Sequence, residues 1–180
     1  MHVHLIISDA HANYDALVRI LESVRYDSVM FLGDSVDYGP QPAETLDLLR
    51  EVGSIILKGN HDAVAAHGIS YRCAEELRPL SEYTREKVAM KFLSKEDLIF
   101  LTGLPEKVEI EVDGKRIYAV HASPRNHLYG YVMPDISDEQ PIDEHLRSKN
   151  LPASAVESVK GSVVISRKLV ENSRLLSLII

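Results

Sequence analysis

Apolar positions along this chain fall into two kinds of run. Val3–Ser8 is a continuous apolar stretch with β-branched members, the pattern of a strand buried on both faces. Ala16, Leu17, Ile20, Leu21 and Val24 then recur at helical spacing and predict a helix over Asn13–Arg25, with Asn13 as its N-cap. Ser28–Leu32 reads as a second strand. Pro42–Val52 reads as a second helix, with Pro42 near its start and Leu46, Leu49 and Val52 on one side. Ser54–Leu57 is a third strand. This order implies a parallel sheet with right-handed crossovers.

The pattern then changes. Ala74–Gly103 is helical and strongly charged, and Pro79 predicts a break into at least two helices. The charge suggests a solvated face, with a cap over a neighbouring site as the alternative. Lys107–Val112 and Lys115–Val120 flank Asp113-Gly114, a strong hairpin signal. Ser123–Gln140 reads as loop, Asp143–Lys149 as a short helix and Ser162–Ile165 as another buried strand.

Four polar clusters follow four of these strands. They are Asp9-Ala10-His11, Gly33-Asp34 running on to Asp37-Tyr38-Gly39-Pro40, Gly59-Asn60-His61-Asp62, and His121. Ligands of open α/β sheets gather beyond the carboxyl ends of the strands, so clusters distant in sequence are expected to meet there. Singly, each residue could be a turn former, a cap or a surface group; the ordered set carries the argument. Carboxylate, imidazole and amide oxygen suit a divalent metal such as manganese, iron, zinc or nickel. Two such ions about 4 Å apart clamp a phosphate and activate water.

The bulk composition agrees. A chain of 180 residues with 45% hydrophobic content supports one domain with its own core. The net charge of −7 argues against holding nucleic acid by bulk charge, though not against a small phosphorylated substrate. Cys73 is the only cysteine, which excludes an intrachain disulfide and fits a cytoplasmic setting. The first residues do not read as a secretory signal, and no apolar run approaches the roughly 20 residues of a membrane helix.

Asp9-x-His11, Gly33-Asp34-x-x-Asp37, Gly59-Asn60-His61-Asp62 and the later His121 resemble the ordered signature of calcineurin-like metallophosphoesterases. Tyr38-Gly39-Pro40-x-Pro42 and His121-Ala-Ser-Pro124 further resemble the small prokaryotic, YfcE-like phosphodiesterase branch. The resemblance implies a layered α/β/β/α sandwich over residues 1–165, with residues 166–180 an atypical tail. It implies hydrolysis of a phosphate ester by hydroxide activated at two divalent ions, manganese first, with iron, zinc, nickel or magnesium as alternatives. Asp9 and His11 would hold the first ion, Asp34 would bridge both, and Asn60 and His121 would hold the second. His61 would assist the leaving group, with Asp62 placed to orient it. Asp37 would support the site from behind, and Arg125 is a candidate contact for substrate phosphate. Tyr38 is expected to pack on Pro42.

The chain departs from the family pattern at its end. The family carries Gly-His-x-His after a late strand, whereas Ser162–Ile165 is followed by Ser166-Arg167-Lys168-Leu169, and no histidine follows His145. The sandwich is therefore expected to be C-terminally incomplete and each ion to lack one protein ligand. The apolar tail, with Leu175, Leu176, Leu178, Ile179 and Ile180, is expected to cover the gap or to join two copies of the chain. A non-catalytic scaffold on the same fold is one alternative. A protein-phosphatase-like or dinucleoside-polyphosphate hydrolase is another, although those relatives usually carry arginine where Tyr38 stands.

Overall fold

In the computed structural model, residues 2–69, 76, 78–112, 115–124, 126–130, 156–159, 162–166 and 174–179 are described. Strands β1 (Val3–Ser8), β2 (Ser28–Phe31) and β3 (Gly53–Ile56) lie parallel, connected by helices α1 (Tyr14–Ser23) and α2 (Pro42–Val52). Asn13 caps α1 as expected, its side chain accepting the Ala16 N–H at 3.2 Å. Residues Arg174–Ile179 form β8, which pairs in parallel with β1 on the side opposite β2 and gives the order β3-β2-β1-β8. The apolar tail thus includes a strand on the edge of the first sheet.

The second sheet is antiparallel, in the order β4-β5-β7-β6. Its strands are β4 (Lys107–Val112), β5 (Lys115–Val120), β6 (Val156–Val159) and β7 (Ser162–Ser166). Val112 pairs with Lys115, so the two strands form the expected hairpin; its Asp113-Gly114 turn lies outside the described residues. The expected helix at 143–149 lies outside them too.

Alternation along the strands divides the core. Ile6, Met30, Leu32 and Leu57 face Ile117 and Ala119 of β5 and fill the space between the sheets. Leu5, Ile7, Val29 and Phe31 point the other way and meet Leu17 of α1 and Leu49 of α2. Each fully buried leucine contributes roughly 1.5–3 kcal/mol of transfer free energy. The two sheets thus pack face to face with α1 and α2 on the outer side of the first, as expected for the layered sandwich.

A third cluster gathers Val36, Leu46, Ala65, Ala89, Leu93, Leu101 and Leu104. It joins α2 to α3 (Asn60–His67) and α6 (Lys95–Gly103), with Ala89 and Leu93 contributed from either side of α5 (Met90–Phe92). The charged region is therefore only partly a solvated face. Its first helix, α4 (Arg78–Thr84), contains Pro79 in the opening turn, where proline is tolerated, and runs on through a π-helical turn at Arg85–Ala89. A further break falls at Leu93-Ser94, where Ser94 caps α6. Among the described residues no helix is long and apolar enough to cross a membrane.

Asp97 fastens α6 to α2. It accepts the Ser94 N–H at 2.8 Å and the Arg50 guanidinium at 2.6 Å, and Arg50 also lies over the Phe100 ring. Burial opposes the Asp97 charge, but the Ser94 hydrogen bonds and Arg50 hold its carboxyl below the usual range. A depressed carboxylate pKa stabilises the fold above the unfolded value and loses that contribution as pH falls through the folded one. Asp97→Ala is therefore expected to cost about 1–2 kcal/mol near neutral pH, with the gap to the parent narrowing below about pH 4, read by urea denaturation across pH.

Candidate metal centre

The loops after β1 and β2 run side by side beyond the sheet. Asp9 N–H donates to the Gly33 carbonyl at 3.0 Å, His11 N–H to Asp34 at 2.9 Å and Ala12 N–H to Ser35 at 2.8 Å. Asp9, His11, Ala12, Asp34, Asp37 and Tyr38 all have φ between 47° and 80°. This left-handed region is sparsely populated by residues with a side chain, and each such placement costs about 1 kcal/mol or more. Strain concentrated in two adjacent loops points to a site there. Gly33 and Gly59 meet back to back: a Cβ on Gly59 would lie 2.1 Å from Asp34 Oδ1, and one on Gly33 2.5 Å from the Gly59 nitrogen. Only glycine permits that approach.

Asp62, in the first turn of α3, ties this arrangement together. Its carboxylate accepts N–H groups from Gly59 at 2.8 Å, from Asp34 and Ser35 at 2.9 Å and from Val36 at 3.3 Å. It is fully buried; burial and the nearby Asp34 charge push its carboxyl up. These bonds explain why α3 begins at Asn60, a helix that the apolar pattern does not announce. They also reassign a role. The carboxylate bonded to the His61 ring is Asp37, whose Oδ2 accepts Nδ1–H at 2.9 Å, while Asp62 holds the loops.

The expected ligand residues converge. One ligand atom from each of Asp9, Asp34 and His121 lies within 4.8 Å of the other two. His121 donates Nδ1–H to the Leu32 carbonyl at 2.9 Å, leaving Nε2 3.0 Å from Asn60 Oδ1 and 3.4 Å from Asp34 Oδ2. His11 likewise directs Nδ1 to the Val36 carbonyl, with Nε2 3.9 Å from Asp9 and 3.8 Å from Asp34. Fixing Nδ1 on a backbone carbonyl is how proteins present Nε2 to a metal. Asp34 stands at the centre: Oδ1 accepts the His61 N–H at 2.9 Å, and Oδ2 faces both histidines. Asp9 also bonds the Ser8 hydroxyl. Arg125 lies outside the described residues.

The electrostatics fit a cation. Burial pushes the Asp9 carboxyl up, and the Asp34 charge pushes it further. Burial opposes the Asp34 charge too, but His121, His61 and His11 hold its carboxyl well below the usual range. Burial likewise opposes a charged His121, yet Asp34 and then Asp9 raise it to about 9. Two carboxylates, Asp34 almost fully buried and Asp9 partly so, thus face imidazoles in the place where a divalent ion would supply the positive charge. Beside Asp9 and His11 opens a cleft of about 410 Å³, walled by Tyr38, Gly39, Pro40 and Gln41 with Asn13 and Asp15 at its rim. Tyr38 is accordingly a wall of the cleft, with its ring against His11 and His61.

Residues 4–167 match the calcineurin-like phosphoesterase family. The chain belongs to it. The protein MJ0912 of Methanocaldococcus jannaschii is 31% identical over 140 residues, 74% of this chain and 55% of that relative. A symmetrical bis(5'-nucleosyl)-tetraphosphatase of Xylella fastidiosa strain M23 is 36% identical over 81 residues, 42% of this chain and 27% of that enzyme. The crystal structure of a metallophosphoesterase from Sphaerobacter thermophilus is 35% identical with a TM-score of 0.57, over 72% of this chain and 50% of that one. This family member thus spans about half the length, or less, of these curated relatives.

Separate duties for Asp62 and Asp37 have a measurable consequence. Asp62→Ala strands several buried N–H groups and is expected to cost at least about 3 kcal/mol in urea denaturation. Asp37→Ala removes the bond to the His61 ring rather than a set of loop N–H bonds and is expected to cost clearly less. Equal losses would refute the division.

Proposed function

We propose that the chain hydrolyses a phosphate ester, most simply a phosphodiester of a small molecule, at two divalent ions. The convergence of Asp9, Asp34, Asn60 and His121 from the ends of β1, β2, β3 and β5 carries this reading. Asp9 and His11 would hold one ion, Asn60 and His121 the other, with Asp34 Oδ2 facing both sets. Manganese is the first choice of metal for this mixed oxygen and nitrogen set. When bound, the ions supply charge neutralisation for the phosphate and activate water for in-line attack.

The remaining chemistry belongs to the chain. Asp37 accepts His61 Nδ1–H, so Nε2 is the nitrogen that delivers a proton to the departing ester oxygen. Burial disfavours the imidazolium of His61, but Asp34 and Asp37 raise its pKa and favour the protonated form. The body of the ester would occupy the cleft beside Asp9 and His11. Similarity to the Xylella enzyme favours a second reading, cleavage of a dinucleoside polyphosphate.

With manganese added, the purified chain is expected to hydrolyse bis(p-nitrophenyl) phosphate, and Asp34→Asn and His61→Ala each to lower kcat by about 10²–10⁴-fold. Asp34→Asn should also abolish the rise in Tm on adding manganese, whereas His61→Ala should keep it. Unchanged turnover in both variants would remove the mechanism. No metal uptake by the parent would leave a binding scaffold, and strong preference for diadenosine tetraphosphate would support the second reading.

A further inference from the structure

Helix α4 reaches the site from the charged insertion. Ser81 is fully buried, and its Oγ lies 2.8 Å from the Tyr38 hydroxyl. Three residues on, Thr84 Oγ1 lies 3.5 Å from Asp37 Oδ1, but its proton is better directed to the Leu80 carbonyl at 3.0 Å. The Ser81–Tyr38 hydrogen bond is therefore the firm link between insertion and site.

Beyond that link stand three rings in mutual contact. Tyr38 lies 4.8 Å from His11 and 4.8 Å from His61, centroid to centroid, and the two imidazoles are 5.0 Å apart, nearly perpendicular. Such tilted and edge contacts are attractive and fix relative orientation. His11 Nδ1 makes a long 3.4 Å contact to the Val36 carbonyl, and Asp37 accepts the His61 Nδ1–H at 2.9 Å. Tyr38 itself takes the strained φ of 60°, and Gly39 has no room for a Cβ, which would lie 2.4 Å from the His11 carbonyl oxygen. The backbone thus accepts strain to set this phenol against both imidazoles.

We propose that Tyr38 and Ser81 are positioning residues: α4, through the Ser81–Tyr38 hydrogen bond, holds the Tyr38 ring as a wedge against both imidazoles that sets the tilt of His11 relative to His61. The insertion is then part of the catalytic apparatus. It governs the orientation of the group that helps hold a metal relative to the group that donates the proton. The inference rests on the reading of His61 given above. Misplacing a reacting group by about 1 Å costs on the order of 100-fold in rate, so partial loosening predicts a loss of about tenfold.

The test uses the full chain with Ser81→Ala, Tyr38→Phe, the double variant, Ser81→Thr and the exposed control Glu82→Ala. In the manganese-loaded protein acting on bis(p-nitrophenyl) phosphate, Ser81→Ala and Tyr38→Phe should each lower kcat about tenfold with KM nearly unchanged. The double variant should be no worse than either single, because both remove one bond. Ser81→Thr should restore most of the loss, and Glu82→Ala should match the parent. In metal-free protein, the imidazole Cε1–H signals of both His11 and His61 should move in each single variant. Unmoved imidazole signals, kcat within about twofold of the parent, or losses that multiply in the double variant would each overturn the inference. The spectra need neither metal nor substrate. A parent inactive on every ester therefore defeats the proposed function while the wedge is still judged on its own.

Discussion

The site depends on one buried carboxylate. Asp62 is held chiefly by the backbone N–H groups of Gly59, Asp34, Ser35 and Val36, with the Ser35 hydroxyl beside them. A carboxylate buried on such terms stays tolerable only while those donors remain aimed at it. The converse also holds: one of these donors, Asp34, sits at a strained φ of 59° and would relax without the common acceptor. One side chain therefore fixes the β2 loop against the start of α3. Through Gly33 and Gly59 it sets how closely Asp34 approaches Asn60 and His61.

Around that knot the parts are graded from rigid to adjustable. Asp34 and His121 are nearly inaccessible and each holds several partners, so their separation is built into the fold. Asp9 and His11 are partly exposed at the mouth of the cleft, and their contacts are longer. This gradient suits a centre in which one face is set by the protein and the other meets a ligand. The insertion supplies from α4 the constraint that the outer face lacks.

The same gradient explains why α4 through α6 is not a solvated layer despite its charge. Ser81, Thr84, Ala89, Leu93 and Leu101 point inward, while Glu82, Tyr83 and Phe92 remain exposed. A short polar residue on a charged helix carries no hydropathy signal, yet it lets a helix come close enough for a hydroxyl to meet Tyr38. Burial at that point is decided by proximity rather than by apolar character.

The sequence by itself determined the parallel strands, the capped helices α1 and α2 and the hairpin, because hydrophobic period and turn chemistry are local signals. It also pointed to the cluster of Asp9, His11, Asp34, Asn60, His61 and His121, because strand ends in an α/β sheet share one edge. Only the tertiary structure decided that Asp37, not Asp62, holds the His61 ring. Both acids are near in sequence or motif, and direction in space is not encoded by spacing. It alone put Tyr38 against both His11 and His61, because the meeting of the β1 and β2 loops is a tertiary contact. It alone paired Arg174–Ile179 with β1, since an apolar run announces a strand but not its partner.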